Sequence, residues 1–415
     1  MLLQNKNILL AVSGGIAAYK VVQVARDLTQ AGAKVHVLMS QAATRFVTPL
    51  TFQTLTRQPV HTEIWEGWTD DEQGHISLSK QADLVLLAPA TADIMAKLAH
   101  GLADDIITTT YLATPISTPF LIVPAMEHHM YIHAANQHNM QILRERGAQV
   151  LEAKYGPHAS GATGLGRLPE ATEIVAAVKL AIGRREGELK DKYLLITAGG
   201  TQEPLDPVRY LGNRSSGQMG YALAQAALER GASVRLISGP IKLEPPYGCE
   251  FVAVQTAREM EAAVQQALST EPLPDGLIMA AAVADFRPLR PSDHKIKKES
   301  SNHAPTIELE LNSDILLGLK GRPDLGKMLK VGFAAETDDL ALNAEKKLLN
   351  KDLDLIVANE AVSSIGQPDN EVTLIERGGP TQNLDRRPKS QVAAAILDKV
   401  VELLHKKEQD IHGPA

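Results

Sequence analysis

The stretch "NILLAVSGGIAAYKVVQVARDLTQAGAKVHVLM", Asn7 to Met39, decides the fold. Residues 7–12 are a short apolar run, as in a strand covered on both faces. Gly14 and Gly15 follow, residues 16–31 read as an amphipathic helix, and "KVHVLM" (34–39) is a second strand. The pattern continues with "DLVLLAP" (83–89), "FLIVPA" (120–125) and "AQVLE" (148–152), with helices expected at 91–101, 128–146 and 173–183. Apolar strands alternating with helices predict a mostly parallel sheet with helices on both sides.

The opening is echoed in the second half. "YLLITAGG" (193–200) parallels "ILLAVSGG" (8–15), and "RGASVRLIS" (230–238) parallels "AGAKVHVLMS" (31–40). Gly15 to Gly32 spans 17 positions and Gly200 to Gly231 spans 31; the difference, 31 − 17 = 14, matches the length of "TQEPLDPVRYLGNR" (201–214). The fold class is therefore α/β: two doubly wound Rossmann-like or flavodoxin-like domains, the second with an insertion after its first strand. The expected division is 1–182 for the first domain, 183–191 for a charged linker and 192–415 for the second. Later strands are expected at 250–254, 276–282, 306–311, 329–334 and 353–358, then a helix at 391–407 and a frayed tail.

Composition narrows the class. The 415 residues exceed one typical core. A net charge of -7 argues against a nucleic-acid binder, though not against local pockets for phosphorylated ligands. The lone Cys249 excludes an intrachain disulfide and a Cys-based zinc site, and it reads as an incidental thiol. No apolar run approaches the roughly 18 residues of a membrane span. The first residues do not read as a signal peptide, so the expected location is cytoplasmic.

Several stretches carry chemistry. "SGGIAAYK" (13–20) joins a strand to a helix, so its N–H groups suit a phosphate; the competing reading is a plain tight turn. Thr91, at another strand end, is placed to cap the next helix or to meet a ligand. His75 is expected just before a helix, as an acid/base or as a structural histidine. Glu127, His128, His129 and His133 raise the question of a metal, with His129 and His133 spaced for one helix face. A zinc helix needs a further placed ligand, so solvated histidines are the better reading, and the metal ligands stay unknown.

In the second half, "ITAGGTQEPLDPVRYLGNRSSGQMG" (196–220) gathers Gly199, Gly200, Arg209 and Asn213 near a strand end, before a helix start. The switch-point rule favours ligand binding there over a Pro-fixed surface loop. "LIMAAAVADFRPLRPSDHKIKK" (277–298) places the small Ala280 and Ala281, then Asp285, beyond another strand. Lys295 follows, on a mobile flap or on a solvated loop.

"AVSGGIAAYK" (11–20), "GHISLSKQADLVLLAPATADIMAKLAHGLADD" (74–105) and "LIVPAM" (121–126) closely resemble the flavin-dependent cysteine decarboxylases. Within that group the chain resembles, over essentially its whole length, the bifunctional phosphopantothenoylcysteine decarboxylase/phosphopantothenate–cysteine ligases of coenzyme A synthesis. The resemblance implies FMN in the first domain, held by Ser13, Gly14, Gly15, Ile16, Ser40, Ala90 and Thr91, with His75 as base. It implies thiol oxidation, loss of CO2 and reduction of the enethiol by the same flavin. Two positions depart from the family pattern: Glu127 stands where the family has a carboxylate-binding Asn, and Ser160 where it has a proton-donating Cys. Slow or altered decarboxylation, release of an unreduced enethiol, and a ligase with a lapsed flavin domain are the alternatives these changes raise.

For the second domain the resemblance implies CTP-dependent activation of 4'-phosphopantothenate as an acyl-cytidylate, with Mg2+ shielding the phosphates and cysteine attacking next. Asn213 and Arg209 match the acyl-cytidylate site, and Lys295 the flap lysine. Asp285, Phe333, Lys347 and Lys351 match nucleotide contacts, with Gly199, Gly200, Ala280 and Ala281 and the loop Ser313, Asp314, Ile315 and Leu316 nearby. The implied assembly is a homo-oligomer of trimeric flavin domains and dimeric ligase domains. The implied partners are small substrates, with no nucleic acid and no membrane. A rival NAD(P) oxidoreductase lacks the Gly-rich fingerprint in both halves.

Overall fold

The computed structural model describes residues 2–65, 74–159, 161–297, 306–336, 340–360, 367 and 369–412. It divides into two compact units, Met1–Arg185 and Glu186–Ala415.

In the first unit β1 (Asn7–Val12), β2 (Lys34–Met39), β3 (Val60–His61), β4 (Leu84–Ala90), β5 (Phe120–Pro124) and β6 (Gln149–Val150) pair in parallel, in the order β3-β2-β1-β4-β5-β6. Every residue of β4 and β5 is buried, as continuous apolar runs require when helices cover both faces. The first helix, Ala18–Gln30, buries Ala18, Val21, Val24, Ala25 and Leu28, one stripe at helical spacing. These pack with Ile8, Leu10 and Val12 in one core, while Leu9, Ala11 and Leu87 face a second core on the other side. Two further strands, β7 (Lys154–Pro157) and β8 (Thr163–Arg167), form a separate antiparallel hairpin.

The second unit repeats the plan. Its strands are β9 (Tyr193–Ala198), β12 (Ser233–Ser238), β13 (Glu250–Ala253), β14 (Gly276–Met279), β17 (Leu329–Glu336) and β18 (Leu355–Glu360). They run in parallel, in the order β13-β12-β9-β14-β17-β18. Antiparallel β19 (Asp369–Glu376) and β20 (Thr381–Pro388) extend one edge. The insertion after β9 folds as a small hairpin, β10 (Gln202–Pro204) with β11 (Tyr210–Gly212). A second small hairpin joins β15 (Phe286–Pro288) to β16 (Leu309–Leu311), so the strand expected at 306–311 stands outside the main sheet.

Four expectations are corrected. The expected helix over 128–146 is two, His128–Ile132 and Ala134–Glu145, broken at His133 with ψ 132°. His129 and His133 therefore do not share a helix face. His75 lies within helix Gly74–Gln81 rather than before it. The helix Ala171–Glu186 continues into the expected linker, and the last helix, Lys389–His412, runs through most of the tail read as frayed. Edge strands β19 and β20 had no counterpart in the sequence reading. Among the described residues no helix is long and apolar enough to cross a membrane.

Candidate active sites

Doubly wound sheets bind ligands beyond the carboxyl ends of strands, where strand order reverses. In the first unit that point lies between β1 and β4. The buried Ser13 closes it: its Oγ donates to Pro89 O at 2.7 Å and accepts from the Thr91 N–H at 3.1 Å. Thr91 in turn caps helix Ala92–His100, its hydroxyl accepting from the Ile94 N–H. A Cβ on Gly14 would lie 2.3 Å from Ala42 Cβ, so glycine alone lets this loop approach the turn that Ser40 starts. A Cβ on Gly15 would meet Thr91 Cγ2. Ser13, Gly14, Gly15, Ser40, Ala90 and Thr91 thus come together. The helix after them, Ala18–Gln30, has no side-chain cap; its Ala18, Tyr19 and Lys20 N–H groups are taken by the carbonyls of Gly15, Ile16 and Ala17, and the N–H groups of Gly14, Ile16 and Ala17 in the turn before it are the ones left for an anion. Ile16 and Tyr19 are 56% and 58% exposed beside it, apolar surface suited to a flat ring. This donor set fits FMN.

The segment after β5 is joined to the same place. Ala125 N–H donates to Ala90 O, and Met126 N–H to Gly166 O of β8. Glu127 caps helix His128–Ile132: its Oε2 accepts from the His129 N–H at 2.7 Å, and its Oε1 lies 3.0 Å from His129 Nδ1. Partial burial opposes its charge, but these His129 hydrogen bonds outweigh that and hold the carboxyl below its ordinary range. Glu127 is therefore an ionised capping group committed to its own helix. His128 Nδ1 accepts from the Leu165 N–H at 3.1 Å, and His133 caps the next helix through Ala135. The histidines serve local structure, and no metal-holding cluster exists among the described residues. Half-buried His75 makes no hydrogen bond to the loop residues above among the described residues. Ser160 lies outside the described residues.

In the second unit the reversal lies between β9 and β14, and the loops beyond them are zipped together. Ala282 N–H donates to Gly199 O, Ala281 N–H to Thr197 Oγ1 and Ala284 N–H to Thr201 Oγ1. Asn213 Nδ2 donates to Ala282 O at 3.0 Å, fixing the amide over this junction. A cavity of about 700 Å³ opens here. It brings together Asn213, Ala280, Ala281, Asp285, the loop Ser313 to Leu316, Phe333, Lys347 and Lys351. Asp314 caps the short helix after it and pairs with Lys351 at 2.8 Å.

Four expected residues, Gly199, Gly200, Arg209 and Lys295, do not line the cavity. Gly199 and Gly200 do not line the cavity; the space of a Cβ there is taken by Gly239 and Ile241, and by Asn213 and Ser215. They let loops, rather than a ligand, approach. Arg209 is likewise outside: its Nε and a terminal nitrogen donate to Asp206 Oδ2, and that nitrogen also donates to Ile296 O at 2.9 Å. The buried Asp206 also accepts from the Ile296 N–H at 3.2 Å, and the Arg209 guanidinium holds its carboxyl far below the usual range. Arg209 is therefore a clamp on the irregular segment 292–296, which carries the exposed Lys295. Gln218 and Asn312, within stretches the sequence already pointed to, also line the cavity, and sequence reasoning missed Asn359, Asn370 and Lys389. Asn370 lies in β19 and Lys389 directly follows β20, whose polar sequence gave no apolar signal.

The family described as "Flavoprotein" matches residues 2–183, and the family described as "DNA/pantothenate metabolism flavoprotein C-terminal domain" matches residues 189–404. The coenzyme A biosynthesis bifunctional protein CoaBC of Bacillus subtilis (strain 168) is 44% identical over 409 residues, 97% of this chain and 98% of that protein. The protein of that name from Mycobacterium tuberculosis (strain ATCC 25618 / H37Rv) is 42% identical over 417 residues, 96% of this chain and 97% of its own. A crystal structure of a C-terminal domain of such a CoaBC protein is 39% identical, with a TM-score of 0.45, covering 53% of this chain and 100% of that one.

Proposed function

The chain belongs to the family of bifunctional coenzyme A biosynthesis proteins CoaBC, and from that premise we propose how its two sites divide the work. It is an enzyme of coenzyme A biosynthesis that joins 4'-phosphopantothenate to cysteine and decarboxylates the product with FMN. The alternative of a ligase with a lapsed flavin domain is not favoured, because similarity to bifunctional relatives spans both halves.

FMN, when bound, supplies the oxidation and re-reduction of the cysteinyl moiety. The turn before helix Ala18–Gln30, through the N–H groups of Gly14, Ile16 and Ala17, would hold its phosphate. Ser13 and Thr91 fix that turn against β4. Ile16 offers an apolar face. His75 takes a proton from the substrate, and Ser160 stands where the family's acid stands. Glu127, tied to the His129 amide, is held by its own helix.

In the second unit the cavity binds CTP and 4'-phosphopantothenate. A carboxylate oxygen of the substrate attacks the α-phosphorus, pyrophosphate leaves, and the cysteine amine then displaces CMP. Asn213, pinned to Ala282 O, is placed to orient the reacting acyl group. Lys347 and Lys351 supply cationic side chains, and Phe333 a ring. Lys295, exposed on the segment clamped by Arg209 and outside the cavity lining, would have to move in over the bound nucleotide to act as the flap lysine. Asp285 and Asp314 are the cavity's carboxylates, and Asp314 is already paired. That donor set suits Mg2+ carried chiefly by phosphate oxygens and water rather than a protein cage.

The observation that supports this reading is the cavity at the β9/β14 reversal, where the loops around Asn213, Asp285 and Ser313 meet side chains from later strands and helices, among them Phe333, Lys347 and Lys389. Lys295→Gln and Asn213→Asp are expected to abolish CTP-dependent coupling while leaving flavin absorbance intact. Wild-type coupling in either variant would remove the assignment. Exposed Phe286, Leu289, Leu309 and Leu311 on one hairpin, and Ile16, Tyr19, Phe46 and Leu50 in the first unit, support self-association.

A further inference from the structure

Lys389 opens helix Lys389–His412, directly after β20. Its side chain is 9% exposed, yet among the described residues no carboxylate pairs with it. Its hydrogen bond, to Gln218 Oε1, is long at 3.4 Å. Burial holds its pKa below the ordinary value, with no charge opposing that effect. The other lysine of this unit among the buried described residues is satisfied: Lys330 pairs with Asp352 at 2.6 Å; half-buried Lys399 likewise pairs with Glu376 at 2.6 Å. A buried, unpaired ammonium is costly, and a fold keeps one where something supplies the anion.

The place of Lys389 says what that anion is. It lines the cavity beside Ser215, Ser216 and Gly217, at the start of the 12-residue helix Gln218–Glu229. The N-cap is Gly217, which has no side chain to satisfy the first-turn N–H groups. A helix start and an ammonium thus face one space. Lys351, which also lines the cavity, is paired with Asp314, whereas Lys389 has no carboxylate partner among the described residues.

We propose that Lys389 and the start of helix Gln218–Glu229 bind the polyphosphate of the nucleotide and hold pyrophosphate as it leaves. This rests on the reading of the cavity as the ligase site. The substrate carboxylate oxygen forms a bond to the α-phosphorus. The bond from that phosphorus to the bridging oxygen breaks, and its electron pair stays on pyrophosphate. No proton is consumed, and the ammonium meets the charge gathering on the leaving oxygens.

The test uses full-length, FMN-loaded protein carrying Lys389→Met or Lys389→Arg. Thermal shifts are measured with Mg2+ plus CTP, inorganic pyrophosphate, CMP or 4'-phosphopantothenate, alongside CTP-dependent pyrophosphate release. In Lys389→Met the unliganded melting temperature is expected to hold or rise, because a buried unpaired charge is gone. The KM for CTP should rise about tenfold or more, the pyrophosphate shift should vanish, and the CMP and phosphopantothenate shifts should remain. Lys389→Arg should recover part of the pyrophosphate response. Unchanged CTP and pyrophosphate responses overturn the proposal. So does loss of the phosphopantothenate response instead, which places the other substrate's phosphate there. A lowered melting temperature with uniform weakening of every ligand marks a structural lysine and also overturns it. Wild-type protein that responds to neither CTP nor pyrophosphate defeats the reading of the cavity itself, and the proposal with it.

Discussion

Glu127 stands where the resemblance places a contact to the substrate carboxylate, and its neighbours show what occupies its own charge. Both of its oxygens are engaged by His129, one by the backbone N–H and one by the ring. Its folded pKa is lowered, so its cap contributes stability above the ordinary value of 4.5 and loses it as pH falls below. Asn caps helices as well as acidic residues do. Glu127→Asn is therefore expected to keep the melting temperature at pH 7 and to lower the KM of the decarboxylation step a few-fold. Steady-state decarboxylation with purified phosphopantothenoylcysteine checks this, and an unchanged KM removes charge repulsion from the account. Asp206 obeys the same sign rule. Its folded pKa lies far below the ordinary 3.8, so the clamp is fully charged above that value. Asp206→Asn should destabilise the protein at neutral pH, and the gap from wild type should narrow below about pH 4. Residue type alone offered Arg209 as a ligand cation. Its actual partner was three residues away in the same loop, and only the loop's closure on segment 292–296 shows the clamp.

At the scale of elements, the β7–β8 hairpin depends on how closely its glycines approach the segment after β5. Gly166 has φ +120°, and a Cβ there would lie 2.2 Å from Met126 O. Gly166→Ala is expected to cost on the order of 1–3 kcal/mol of local strain. The hairpin should lift from Met126 and His128, with decarboxylation falling and CTP-dependent coupling unaffected. Coupling and decarboxylation assays on the same preparation test this; equal loss of both refutes it. The buried parallel strands were legible because continuous apolar runs have few other homes. The β19–β20 pair was not: β20, "TQNLDRRP", buries little besides Leu384, and an edge strand of this kind carries no core-facing pattern. Missing it hid Asn370 and Lys389 from the sequence-based account of the cavity. The break at His133 was hidden too, because a histidine that caps a helix looks like any other helical residue.

At the scale of the molecule, the echo between residues 8–15 and 193–200 proves to be the repeat of one strand order. The 14-residue difference in spacing is the β10–β11 hairpin with its flanks. Each unit gathers its candidate site where its own strand order reverses, so the proposal has one plan serving two chemistries. Flavin removal is accordingly expected to abolish decarboxylation and to leave ligation near its full rate. Ligation by flavin-free protein, restored to decarboxylation by added FMN, checks that independence. The central claim is that one chain performs both steps. Its most direct test supplies FMN-loaded protein with CTP, Mg2+, cysteine and 4'-phosphopantothenate and determines the mass of the product. The account predicts 4'-phosphopantetheine, formed only when CTP is present. A product that stops at phosphopantothenoylcysteine would contradict it.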